Sequence, residues 1–344
     1  AIKAAHSTGG DPLKTMIALS IVTAFASALL DNVTTVLLVV PVTISICAAL
    51  EINPLPIFIA EILASNIGGT ATLIGDPPNI MIGSATGLGF MDFVINLTPV
   101  VIVIFIVTIL ILKFIYKKRL QTKEENKARL MTMNANEAIT DHKLMKTSLT
   151  VIALVIIGFI SHQYLGLESA TIAITGAALL MLITREDPEE ALITVEWATL
   201  FFFVGLFILV GGLEKVGIIE SMARQAVNLT QGNVTLSTIF ILWFSAIASA
   251  FIDNIPFVAT FIPLIQEMGQ IGNMDIMPLW WALSLGACLG GNGTIIGASA
   301  NVIVSGIAAR EGHPITFLGY MKIAFPLMLV SIVIATVYLL VFYV

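Results

Sequence analysis

Between Gly68 and Asn79 the sequence reads Gly-Gly-Thr-Ala-Thr-Leu-Ile-Gly-Asp-Pro-Pro-Asn, directly after an apolar run. Three glycines lower the helix propensity, and two adjacent prolines remove backbone donors and push the preceding residue into extended geometry. A helix that enters this stretch must therefore break. Inside a bilayer, an opened backbone survives only where protein buries it or where it lines a wet cavity, so the break is a candidate binding site.

The composition places this break in a membrane. The chain of 344 residues is 58% hydrophobic and only 11% charged, whereas soluble domains carry about 25% charged residues. Several apolar runs reach the roughly 20 residues that span a bilayer. The sequence predicts an all-α, multi-pass membrane protein with the lipid bilayer as its partner, and it contains no basic patch typical of nucleic-acid binding.

The break occurs twice. Gly290 to Asn301 reads Gly-Gly-Asn-Gly-Thr-Ile-Ile-Gly-Ala-Ser-Ala-Asn, and it matches the first break in a gap-free repeat alignment that pairs Asp31 with Asp253. In this alignment, 13 of the 49 positions from Asp31 to Asn79 are identical in Asp253 to Asn301. Compositional bias would match apolar residues, but it would not align two Asp-Asn pairs and two Gly-Gly pairs. Repeated halves with interrupted helices are typical of secondary transporters, whose sites lie where the repeats meet.

An Asp-Asn pair interrupts an apolar run in each half, at Asp31-Asn32 and at Asp253-Asn254. Each pair of apolar arms is either one long kinked span or a helical hairpin that turns back at this tip. Carboxylate and amide oxygens at such a tip suit sodium, and a desolvated aspartate also takes up a proton. The alternative is that both aspartates only cap the helix that follows.

The candidate ion- or substrate-binding residues therefore lie at the two tips and the two breaks. Asn79 and Asn301 have an alternative role, because their amides can satisfy backbone groups freed by the breaks. A possible bound sodium ion is the only non-protein group predicted, and no cofactor or other metal is expected. The predicted set is Asp31, Asn32, Gly68, Gly69, Thr72, Asn79, Asp253, Asn254, Gly291, Asn292, Gly293, Thr294 and Asn301, with Thr34, Ser65, Asn66 and Asp76 as secondary candidates.

Charge divides the chain into two parts. Nine of the 16 Lys and Arg residues lie between Lys113 and Lys146, so the positive-inside rule makes this linker cytoplasmic. The predicted organisation is a first repeat at 1–112 (hairpin about 15–50, broken helix about 55–86), the linker at 113–146, and a second repeat at 147–344 (hairpin about 236–270, broken helix about 278–309). Since residue 1 already pairs with residue 223, the repeat predicts roughly 75 further residues before it.

These motifs carry a resemblance to a known family. The chain resembles the ion transporter superfamily, most closely the branch of arsenite permeases, sodium/proton antiporters and the melanosomal P protein, and it is related to the sodium/dicarboxylate symporters. The resemblance rests on the runs Leu30–Thr35, Ser65–Asn79, Val195–Leu200, Ile252–Phe257 and Gly286–Asn301.

The resemblance implies two inverted structural repeats, each with a re-entrant helix hairpin and a discontinuous transmembrane helix, and an elevator-type alternating-access mechanism. It also implies a homodimer in the plasma (inner) membrane. The sodium/dicarboxylate branch carries Ser-Asn-Thr at each hairpin tip, where this chain has Asp31-Asn32-Val33 and Asp253-Asn254-Ile255. An ionisable group thus replaces a hydroxyl at both tips.

The function that the sequence favours is secondary active transport, coupled to protons or sodium, of a small inorganic substrate such as sodium or arsenite. The spans carry Lys or Arg only near their ends, which disfavours a multiply charged anion, although an organic or inorganic anion such as a dicarboxylate is the alternative. An ion channel would contain the same breaks. An enzyme is not predicted, because neither Ser249 nor Ser299 has a histidine nearby in sequence to activate it.

Overall fold

The computed structural model describes residues 1–133, 141–195 and 197–344, and these residues form helices joined by short turns. The first part contains α1 (Ile2–Ser7), α2 (Pro12–Leu29), α3 (Asn32–Leu50), α4 (Leu55–Gly69), α5 (Pro77–Thr86), α6 (Phe90–Tyr116) and α7 (Glu124–Met131). The second part contains α8 (His142–Leu165), α9 (Ser169–Thr184), α10 (Pro188–Ile193), α11 (Trp197–Lys215), α12 (Ile218–Thr230), α13 (Val234–Phe251), α14 (Asn254–Gly272), α15 (Met277–Gly290), α16 (Ser299–Arg310) and α17 (Phe317–Phe342). Among the described residues, seven helices are long and apolar enough to cross a membrane, which confirms the prediction of a multi-pass membrane protein.

The helices α2 and α3 run antiparallel and meet at Asp31. Both of their outer ends contact the basic linker: Gly10 lies against Lys127, and the Thr122 hydroxyl donates a hydrogen bond of 2.5 Å to the carbonyl of Leu50. The two ends therefore lie on the same side of the molecule, and the Asp31 tip points away from that side.

Each predicted break separates two helices. α4 ends at Gly69 and α5 begins at Pro77, while α15 ends at Gly290 and α16 begins at Ser299 after a single turn of 3-10 helix, Ile295–Gly297. Asp76 has the extended conformation that the following Pro77 imposes. Glycine thus ends α4 and α15, and Pro77 begins α5.

Glycine also lets the broken helices approach their neighbours closely. A Cβ atom on Gly68 would lie 2.2 Å from the carbonyl oxygen of Ala24 in α2, and one on Gly290 would lie 2.5 Å from that of Ala246 in α13. Extended upstream, the repeat alignment that pairs Gly68 with Gly290 also pairs Ala24 with Ala246. The two halves therefore use the same close contact between a broken helix and its neighbour.

The helices α6 and α17 run antiparallel through the centre. The hydroxyl of Tyr338, near the end of α17, donates a hydrogen bond of 2.8 Å to the carbonyl of Asn96, near the start of α6. At the opposite end, Tyr116 and Tyr320 line one cavity of about 460 Å³. In contrast, α8, α9 and α11 expose most of their apolar side chains, including Ile174, Phe201 and Leu209.

Candidate functional site

A fully buried carboxyl group lies where the two halves meet. Asp76 precedes α5 and is 0% exposed. One of its oxygens accepts a hydrogen bond from the side-chain amide of Asn32 at 3.4 Å, and both oxygens accept from the amide of Asn254 at 3.3 and 3.4 Å. Asn32 begins α3 and Asn254 begins α14. The side chain of Asp76 therefore joins both Asp-Asn tips, although it was only a secondary candidate from the sequence.

Asn66 connects the two breaks. Its amide nitrogen donates hydrogen bonds to the side-chain oxygens of Asn292 at 2.9 Å and Asn301 at 2.8 Å, and its oxygen accepts from Asn32 at 3.3 Å. All four asparagines are buried. The centre is thus a network of amides and one carboxyl, contributed by α3, α4, the two breaks, α14 and α16.

The asparagines that follow the breaks bind backbone groups. The amide of Asn79 donates to the carbonyls of Thr70 at 3.2 Å and Thr72 at 2.9 Å. Asn301 donates in the same way to Gly291 at 2.7 Å and Thr294 at 2.9 Å. These contacts satisfy carbonyls that lost their helical donors, which agrees with the alternative role considered for both residues.

The threonines and glycines of the breaks hold the opened backbone in place. Thr72 donates a hydrogen bond of 2.6 Å to the carbonyl of Ala28, and Thr294 donates to that of Ala250, the matching pair in the repeat alignment. A Cβ atom on Gly69 would lie 2.5 Å from the oxygen of Gly75, and one on Gly291 would lie 3.0 Å from that of Gly297. A Cβ atom on Gly293 would likewise be crowded, 2.7 Å from the Cβ of Ala250.

Asp31 and Asp253 cap the helices that follow them. One oxygen of Asp31 accepts from the backbone nitrogens of Val33 and Thr34, at 2.8 and 3.0 Å, and the other accepts from the Thr34 hydroxyl. Asp253 accepts from the nitrogen of Ile255 at 3.0 Å and from the Ser299 hydroxyl at 3.1 Å. Both side chains are half-buried, so capping leaves each carboxyl open to a further role.

Sequence reasoning missed several hydroxyl groups that support the centre. Ser27 donates to the carbonyl of Ser65 at 2.7 Å, and Ser249 donates to that of Ala287 at the equivalent position in the second half. Ser284 donates to the side-chain oxygen of Asn79 at 2.6 Å. Local sequence could not reveal these hydrogen bonds, because the partners lie on other helices. Extending the repeat alignment upstream, however, pairs Ser27 with Ser249, and this match would have identified these two serines.

The ion pairs of the described residues lie outside the centre, at Lys127–Glu124, Arg129–Glu51 and Arg224–Glu220. The hydrogen bond that Lys127 donates to the carboxylate of Glu124 holds the pKa of Lys127 above its ordinary value. Asp76 therefore has amide partners and no cationic side chain among the described residues. Glu196, in the Val195–Leu200 motif, lies outside the described residues.

The described part of the chain is helical and has seven helices of membrane length, and two further, shorter helices break at a shared buried polar centre. This is the architecture of a multi-pass membrane transporter. The chain belongs to the citrate transporter family, whose sequence profile matches residues 1–286. The family assignment points to a role other than that of an enzyme.

Individual relatives agree with this assignment. An uncharacterized transporter of Mycobacterium bovis is 45% identical over 98% of this chain and 79% of its own length. The 46 kDa membrane protein of Mycobacterium leprae is 43% identical over 98% of this chain and 80% of its own length. The P protein of Mus musculus is 34% identical over 99% of this chain and 50% of its own length.

These relatives confirm the resemblance to the ion transporter superfamily and to the P protein, whereas the assignment to arsenite permeases and sodium/proton antiporters stays a prediction. The bacterial relatives and the seven apolar helices indicate an integral protein of the plasma membrane.

Proposed function

We propose that the protein is a secondary active transporter, coupled to protons or sodium, whose coupling ion binds at Asp76. The observation that carries this proposal is the buried Asp76 carboxyl, held between Asn32 of one tip and Asn254 of the other. An ionised carboxyl at membrane depth needs a counter-charge, and carboxyls without one mark ion and proton pathways. A proton or a sodium ion would supply the counter-charge here.

The position of Asp76 suits coupling as well as binding. Its hydrogen bonds reach α3 and α14 at once, so neutralising the carboxyl changes the contacts of both tips together. A ligand shifts a conformational equilibrium only by binding the two states differently. Loss of charge at Asp76 changes the strength of both amide contacts, and this is how ion binding would drive a change of access.

Two inverted repeats would supply the moving parts. The antiparallel course of α6 and α17 supports such an arrangement, as does the recurrence of the Gly68–Ala24 and Ser27–Ser65 contacts at the aligned positions of the second half. In the proposed mechanism, α2–α3 and α13–α14 act as re-entrant hairpins, and they move with the broken helices, α6 and α17 as one body past α8, α9 and α11. A homodimer would anchor the latter helices.

The favoured substrate is a small inorganic species such as sodium or arsenite. Four helix N-termini, those of α3, α5, α14 and α16, converge on the centre, and helix N-termini attract anions. Three of them, however, already have a carboxyl at the N-cap position, from Asp31, Asp76 and Asp253. This negative charge opposes a further anion and favours a cation or a neutral hydroxylated molecule.

Citrate or a related organic anion is the second candidate, because the chain belongs to a family described as citrate transporters. Such an anion would have to enter with protons or cations that offset the three carboxyls. Its own carboxylates would then accept hydrogen bonds from the asparagine amides, which are the donors that the centre offers.

Transport into liposomes tests the proposal. The purified protein is reconstituted with a pH-sensitive dye inside, and sodium, arsenite or citrate is added outside in turn. Proton movement triggered by sodium alone would indicate an antiporter, and movement triggered only by arsenite or citrate would identify that compound as the substrate. Saturable flux against a gradient excludes a channel. Flux that never runs against a gradient with any of these ions would overturn the proposal.

A further inference from the structure

A second buried carboxyl lies apart from the centre, in α4. Glu61 is 0% exposed, and one of its oxygens accepts a hydrogen bond of 2.5 Å from the hydroxyl of Thr43 in α3. The other oxygen, Oε2, is buried without a hydrogen-bond partner among the described residues. Glu61 lies in the second turn of α4, between the end that faces the basic linker and the break at Gly69.

Polar side chains lie between this carboxyl and Asp76. Ser65 follows Glu61 by one helical turn on the same face of α4, and its hydroxyl donates 3.1 Å to the carbonyl of Asn32. Thr35, one turn beyond Asn32 in α3, has a buried hydroxyl without a partner among the described residues. Asn32 itself donates to Asp76. A seam of hydroxyl and amide groups thus lies between α3 and α4, in the region between the two acids.

The second half lacks this seam. The repeat alignment pairs Thr35, Thr43, Glu61 and Ser65 with Phe257, Ile265, Leu283 and Ala287. All four of these apolar residues are buried. Packing of a tip helix against a broken helix therefore does not require polar groups at these positions, and their presence in the first half needs another reason.

The surroundings of Glu61 suit a proton better than a metal cation. The Thr43 hydroxyl is the one side-chain hydrogen-bond partner of Glu61 in the described residues, whereas a hard cation takes about six oxygen ligands. The titratable side chain that faces it is the thiol of Cys47 in α3. The described residues form no ion pair with Glu61 within 4.0 Å, so a proton is the species that removes its charge.

We propose that Glu61 is a second proton-binding carboxyl of the transporter, which exchanges a proton with Asp76 along the seam. This inference rests on the proposed coupling role of Asp76. The proton leaves Glu61 Oε2, passes along the hydroxyls of Thr35 and Ser65, and binds a carboxylate oxygen of Asp76. Glu61 becomes a carboxylate until a new proton arrives from the linker side.

The test combines a chemical label with transport. Dicyclohexylcarbodiimide modifies protonated carboxyls in apolar surroundings, and mass spectrometry locates the adduct. In the full-length wild-type protein we expect the adduct on Glu61, with a yield that falls as pH rises, and none on the exposed Glu125. In liposomes, Glu61→Gln should lower proton movement at least tenfold and flatten its pH profile, whereas Glu125→Gln should leave both unchanged.

The outcomes separate this inference from the proposed function. If Asp76→Asn abolishes proton movement while Glu61 stays unlabelled and Glu61→Gln moves protons like the wild type, the role of Glu61 is overturned and that of Asp76 stands. If neither variant changes transport, both proposals fail. The adduct on Glu61 does not depend on transport, so it also tests the site in protein that is folded but inactive.

Discussion

Asp76 is the residue whose substitution tests the proposed function most directly. Asn has nearly the same shape as Asp and keeps the residue before Pro77 polar, so we expect Asp76→Asn to fold. It cannot bind a proton, and its charge no longer attracts a cation. Coupled transport in liposomes should therefore fall by about tenfold or more, which corresponds to ~1.4 kcal/mol. Asp275→Asn, at an exposed position just before α15 where the side chain accepts from the nitrogen of Met277, is the control, and equal transport by both variants would contradict the role of Asp76.

At Asp31 and Asp253, two different substitutions separate a role in helix capping from a role in ion binding. Asn caps a helix about as well as Asp, whereas Ala costs about 1 kcal/mol. We expect Asp31→Asn and Asp253→Asn to keep the unfolding temperature of the wild type and to lose ion coupling, because only the charge is removed. The alanine variants should lose stability as well, measured by thermal unfolding in detergent. Wild-type transport in both asparagine variants would show that the two residues are caps alone.

At the scale of helices, the sequence predicts where the elements end but not what they face. Gly68, Pro77 and the Asp-Asn pairs carry local conformational preferences, and these are enough to locate the tips and the breaks. The partners of Asp76 and Asn66 are set by the association of the two halves: Asn254 follows Asp76 by 178 residues, and Asn292 follows Asn66 by 226. Local conformational preferences carry no information about contacts between residues so far apart in the sequence.

The close contacts between helices predict a packing effect. A methyl group at Gly68 or Gly290 would overlap the backbone of α2 or α13, and overpacking costs about 1–3 kcal/mol. We expect Gly68→Ala and Gly290→Ala each to lower the unfolding temperature. Gly306, in α16, has open space at the Cβ position, so Gly306→Ala should be neutral or slightly stabilising. A loss of stability in Gly306→Ala as large as in the other two would argue against this explanation.

For the whole molecule, burial separates a central body from peripheral helices. The broken helices, their antiparallel neighbours, α6 and α17 bury the large side chains, such as Trp281 and Phe93, which meet edge to face at 5.4 Å. The helices α8 and α9 pack on each other and meet this body mainly near the start of α6. A small contact of this kind permits relative movement, as the proposed elevator mechanism requires.

Cross-linking across this contact tests the movement. Phe90 of α6 and Phe159 of α8 stack with ring centroids 6.2 Å apart, so cysteines at both positions lie within reach of a short thiol-specific cross-linker. If the central body slides past α8, the cross-link should arrest transport and a reductant should restore it.

A cross-link between cysteines at Trp243 and Thr336, whose side chains are hydrogen-bonded at 3.0 Å within the central body, should leave transport intact. The wild-type chain treated with the reagent controls for the buried Cys47 and Cys288. Full transport with α6 joined to α8 would mean that these helices move together, and the elevator would then need a different boundary.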